Sequence, residues 1–179
     1  MRRVSPLRAV KALLARDALP EGFTGVLEGD ERLLAHAPVA GGGHVVVTSW
    51  GLWVPGEDGD RRVGWHRVSK AVWRDGAIAL VEADEDEVAP GVALLTDRPP
   101  RRLRLPEPGR VPEVVHQRVT GSIRTRHHRD LPGGGAWFVQ RRVAGRDGVV
   151  LQVRPDPGTD LDLVRALAAD VARSLPPRP

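Results

Sequence analysis

Between residues 31 and 105 apolar and polar side chains alternate with a period of two, and turn formers interrupt the alternation every few residues. Alternation of this kind sends successive side chains to opposite faces of an extended strand, one face for a core and one for solvent. It predicts strands at 31–37, 44–49, 52–54, 62–67, 70–74, 77–83, 92–96 and 101–105. Pro55-Gly56-Glu57-Asp58-Gly59, Asp75-Gly76 and Pro90-Gly91 supply turns. Asp75-Gly76 is the sharpest of these, because both residues tolerate the positive φ of a two-residue type I′ turn. At the end of the stretch, Leu103 and Leu105 share one face while Arg102 and Arg104 share the other.

Helical spacing marks three further segments. Near the start, Ser5 suits an N-cap and Pro6 the first helical position, with Leu7, Val10, Leu14 and Ala18 on one stripe and Pro20 and Gly22 as the stop. Over 111–126, Val111, Val115, Val119 and Ile123 step by four, although Arg118 enters the apolar arc and Gly121 weakens the interior. A break at 131–135 precedes two strands, 137–143 and 149–153, turned at Asp147-Gly148. The final helix takes Thr159 as N-cap and aligns Leu161, Val164, Ala168, Val171 and Leu175. Asp160 and Asp162 complement its positive end and Arg173 its negative end.

The pattern implies an α+β domain: a curled antiparallel sheet or barrel closed by a helix, with a C-terminal β-hairpin and helix. Residues 1–22 form a lead-in helix, 23–130 the meander with its closing helix, and 131–179 an extension packed on the same domain. The span from Gly43 to Val81 resembles the bacterial PH-like and GRAM-like domains. His44-Val45-Val46-Val47-Thr48 leads into Gly51-Leu52-Trp53-Val54; a polar loop, the segment from Arg62 to Lys70 and a Gly-turned hairpin follow. The resemblance covers about half of the chain, and it implies that helix 111–126 plugs one end of a barrel. Members of that family commonly serve as interaction modules for lipid headgroups, peptides or proteins. They share no catalytic residues, so the resemblance assigns no site residues here.

Charge sharpens the picture where it is uneven. The chain carries +4, and its cations are almost all Arg, with Lys only at 11 and 70. That skew is also what a GC-rich genome produces. Residues 98–129, however, hold nine Arg against Glu107 and Glu113, a net +7 that leaves −3 for everything else. Arg102 and Arg104 project from the polar face of a strand. Arg124, Arg126, His127, His128 and Arg129 fall at and beyond the C-terminus of the expected helix, where cations complement the helix dipole. These seven residues form the candidate binding surface for an anionic or protein partner. Phosphate contacts of nucleic acid, or a peripheral membrane surface, would meet the same guanidiniums.

Other candidate chemistry is thin. No Cys is present, so disulfides, thiolate metal sites and thiol nucleophiles are excluded. The six His fall in no paired metal spacing, no Ser sits in a GxSxG turn, and the two Gly triplets precede strands rather than helices. The acidic run of Glu82, Asp84, Glu85, Asp86 and Glu87 reads as a solvated loop, free to pair with the basic region. The five Trp read as core volume, with Trp65 and Trp137 on apolar faces. No stretch approaches about 20 apolar residues. The expectation is a cytoplasmic, non-catalytic binding or scaffold module without metal or cofactor, with a nucleic-acid-binding protein and a small enzyme as the alternatives.

Overall fold

The computed structural model describes residues 18–145 and 148–174, so the expected helix over the first 22 residues lies largely outside it. The chain is mixed α+β and mostly strand. Four strands, β1 (Leu33–Pro38), β2 (His44–Thr48), β3 (Gly51–Val54) and β4 (Arg61–Gly64), pair in sequence order as one antiparallel sheet. The strand expected to run to Arg67 stops at Gly64, and Trp65–Arg67 form one turn of 3-10 helix. That turn lets the Trp65 side chain enter the core and its Nε1–H donate to the Thr48 carbonyl at 3.1 Å.

A second sheet follows. Strand β5 (Val68–Arg74) turns through Asp75 (φ 51°) and Gly76 (φ 71°) into β6 (Ala77–Ala89), the paired positive φ of a type I′ turn. At 13 residues, β6 outlasts β5 and continues through the acidic run, which is therefore strand and not loop. The ladder to the next strand holds this run extended, and arginines neutralise it. Arg61 grips Glu82 with two bonds (2.8 and 2.5 Å), Arg98 pairs with Asp84, and Arg165 reaches Asp86 at 2.6 Å.

One edge of β6 takes two partners in turn. β7 (Val92–Asp97) pairs with its second half and β8 (Arg101–Arg104) with its first. Pro99 and Pro100 separate them, since Pro cannot donate to a ladder. The alternation expected in β8 is present: Leu103 and Leu105 are buried, Arg102 and Arg104 exposed.

Helix α1 (Val111–Gly121) seals the first core, where Val111, Val114 and Val115 meet Ile78, Leu80 and Leu103 beneath the first sheet. The expected helix to Arg126 is cut five residues short. Gly121 offers little to hold a further turn, and the β-branched residues beyond it pair with a waiting strand. They form β9 (Ile123–Leu131), bonded to β10 (Gly134–Arg142), which pairs antiparallel with β11 (Val149–Pro155). β11 lies parallel to β7, so the sheet runs β5-β6-β7-β11-β10-β9 and is not a purely antiparallel meander. Residues 146 and 147, within the β10–β11 connection, are outside the described set.

Helix α2 (Leu161–Ser174) covers a second core on one face of this sheet, built from Val92, Leu94, Ala136, Val153, Val164 and Ala168. Its N-cap is Asp160, whose Oδ1 accepts from the Asp162 N–H at 2.9 Å. Thr159, expected in that role, is buried and exchanges two bonds with Gly135, accepting from its N–H at 3.0 Å and donating to its carbonyl at 2.9 Å.

Candidate functional site

The seven sequence-predicted basic residues do not form one surface. Arg102 and Arg104 lie on β8, beside the β5–β6 turn, and Arg102 Nη2 reaches toward the Asp75 carbonyl at 3.5 Å. The other five lie on β9, four strand positions from β6, about 19 Å at ordinary strand spacing. Only Arg124 falls near the helix C-terminus, two residues past Ser122; the other four run on along β9 away from the helix end, and strand alternation divides them again.

Arg126 and His128 oppose Val139 and Trp137 on one face, whereas His127 and Arg129 oppose Phe138 and Ala136 on the face that α2 packs against. Arg124 falls where the ladder shifts register, between the pairs Arg141↔Ile123 and Gln140↔Thr125. All seven residues from Arg124 to Asp130 are exposed. β9 closes the strand order, so its outer edge has no strand partner among the described residues. Backbone donors and acceptors along such an edge are open to another strand.

Trp137 is 37% exposed, contrary to its expected place in the core. Two neighbours hold it at the surface. The Arg126 guanidinium lies over its ring, 5.6 Å from the centroid, and the His128 ring sits tilted against it with centroids 5.0 Å apart. His128 Nε2 in turn sits 2.7 Å from Asp156 Oδ2. A Cβ on Gly135 would stand only 2.6 Å from His128 Nε2 and 2.7 Å from that carboxylate oxygen, so a glycine is what lets this pair close.

The same face curls over a cavity of about 250 Å³ whose charged lining is Arg126, Arg141 and Arg154, with Ser69 and Gln152 beside them and no carboxylate among the described residues of the wall. Arg141 is 4% exposed. Its Nη1 donates to the carbonyls of Trp65 (2.9 Å), Val68 (3.2 Å) and His66 (3.3 Å), whereas its buried Nε has no acceptor. Burial, and then the neighbouring Arg154 charge, lower its pKa from 12.5 to about 10. Arg154 bonds to the Ser69 hydroxyl through Nη1 and lies 3.7 Å from Asp97.

Sequence reasoning missed Arg141 and Arg154 because both lie outside the Arg-rich span. A signal for Arg141 was present: it shares a strand face with Val139 and Val143, and a cation on an apolar face must find acceptors or an anion.

A groove of about 540 Å³ runs on the other face between β9 and α2, past His127, Arg129, Phe138 and Val171. A further cavity of about 770 Å³ lies at the end of α1, with Arg118, Arg124 and Arg142 in its wall. Among the described residues no group of three His, Asp or Glu is arranged to hold a metal ion, and no helix is long and apolar enough to cross a membrane. No family model, curated protein or solved structure matches the chain.

Proposed function

We propose that this chain is a non-catalytic binding module that docks an acidic, extended segment of a partner protein along the free edge of β9. One observation carries the reading: a nine-residue edge strand whose seven central residues are exposed and include Arg124, Arg126, His127, His128 and Arg129 against a single acid, Asp130. Edge backbone supplies register-independent affinity, and side chains on alternate faces supply selectivity. A second copy of the chain fits poorly, because β9 against β9 brings arginines together. Four strands in one sheet, β5, β6 and β8 in the next, and α1 sealing the core between them support a PH-like barrel, an architecture suited to display rather than catalysis.

The experiment titrates fluorescent peptides that alternate Glu with Val or Thr against the full chain over a salt series. Binding that weakens with salt, is lost on Arg126→Glu with Arg129→Glu, and persists with Arg102→Glu plus Arg104→Glu is the expected result. Absence of binding at low salt overturns the proposal. Preference for single-stranded oligonucleotides over the peptides would replace it with the nucleic-acid reading, in which exposed Trp137 stacks a base.

A further inference from the structure

The cavity beneath β9 has chemistry that the docking edge does not use. A guanidinium has five N–H donors, and the bonds of Arg141 run through Nη1, which leaves its buried Nε without an acceptor among the described residues. Among the described residues no carboxylate pairs with it, and the charge that acts on it is a second cation, Arg154. A buried cation without a counter-charge is costly, so proteins ordinarily pair it. Asp97 offsets part of Arg154, while Arg126 closes the rim. The three guanidiniums with Asp97 set against them leave the cavity close to +2.

We infer that this cavity is a receptor for a phosphate monoester, whose dianionic head sits among Arg126, Arg141 and Arg154 while its organic stem lies along Trp137. Three features fit that class over a simple carboxylate. The residual charge matches a dianion; with Ser69 donating to Asp97 and Gln152 to the His66 carbonyl, three separate guanidiniums remain as the donors for a tetrahedral head; and about 250 Å³ exceeds what a bare phosphate needs, with the remaining wall aliphatic or aromatic. The edge of a guanidinium is a natural two-point donor for phosphate oxygens. The site is separate from the docking reading: it lies inside the curl of the sheet, and only Arg126 serves both.

The test is calorimetry of the full chain at low salt with phenyl phosphate, inorganic phosphate and benzoate. Phenyl phosphate should bind best, inorganic phosphate more weakly, and benzoate at least about tenfold more weakly than phenyl phosphate. Arg154→Gln, at a half-buried position, should weaken phenyl phosphate by about tenfold with the fold intact by circular dichroism. Arg141→Met should abolish binding, and Arg154→Gln decides the matter if that variant does not fold. Benzoate equal to phenyl phosphate, no heat from either phosphate, or binding indifferent to Arg154→Gln overturns the inference. Phosphate binding without acidic-peptide binding would leave this inference standing and remove the docking proposal; the reverse would do the opposite.

Discussion

Arg141 on β10 donates to the Trp65 carbonyl at 2.9 Å across 76 residues of sequence, and this bond joins the two halves of the molecule. Trp65 is packed in the core under the first sheet, while Arg141 belongs to the sheet that carries α2. Nη1 also serves the His66 and Val68 carbonyls, so one group satisfies the end of the 3-10 turn, where no further helix follows. Gln152 repeats the link, donating to the His66 carbonyl at 2.7 Å.

Replacing Arg141 with Met removes a costly buried charge but takes a donor from three carbonyls, of which Trp65 keeps the Val68 N–H and His66 keeps Gln152, a loss of about 1–3 kcal/mol in all. The second effect is larger. A net loss of about 2 kcal/mol is expected, read as a fall of roughly 4–8 °C in Tm by calorimetry. An unchanged or raised Tm would mean that the charge costs more than the clamp contributes.

Glu31 predicts acid sensitivity. Burial raises the pKa of its carboxyl, but bonds from Thr48 Oγ1 (2.5 Å), Trp53 Nε1 (3.0 Å) and the Glu28 N–H (3.2 Å), with Arg62 opposite at 2.5 Å, outweigh burial and hold it below 4.5. Glu82 is lowered too, first by its bonds to Arg61. A carboxyl whose folded pKa is depressed contributes stability that is full above the unfolded value and is lost as pH falls through the folded one. Urea midpoints should therefore hold from pH 7 to about 5 and fall below 4.5, and Glu31→Gln should flatten that fall. An equal acid slope in the variant would assign the effect elsewhere.

Gly51 tests the packing of β3 on β4. A Cβ there would stand 2.5 Å from the Val63 carbonyl oxygen, a backbone atom that cannot swing aside. Gly51→Ala should cost about 2 kcal/mol or more by urea denaturation, within the range for overpacking. Gly76→Ala has open space around it and is opposed only by its positive φ, so about 1 kcal/mol is expected.

Two neighbours at the start of α2 separate capping from anchoring. Asp160→Ala removes the cap and should cost about 1 kcal/mol. Thr159→Val takes the hydroxyl partner from the buried Gly135 N–H, while the Gly135 carbonyl keeps the Asp156 N–H, and should cost more, about 2 kcal/mol. Equal costs in chemical denaturation would remove the distinction between the two roles.

Arg102→Glu with Arg104→Glu should change stability by less than about 0.5 kcal/mol, since both side chains are solvated and neither forms an ion pair among the described residues. A large loss would show that the β8 face is covered by something in the folded protein.

Local chemistry was legible in the sequence. Strand alternation placed Leu103 and Leu105 inside and Arg102 and Arg104 outside, Asp75-Gly76 fixed a turn, and valines four apart marked α1, because each depends only on neighbours in the chain. What Ile123 to Leu131 became was not local. A partly helical pattern lost to a ladder with β10, whose position was set by β11 pairing in parallel with β7 about 60 residues earlier. The same non-local pairing scattered the seven candidate basic residues over two distant strands and brought Arg126, Arg141 and Arg154 around one cavity. Sequence determined which side chains prefer water; only tertiary pairing, whose free energy comes from partners far along the chain, decided which three cations had to share a space with Asp97 alone set against them.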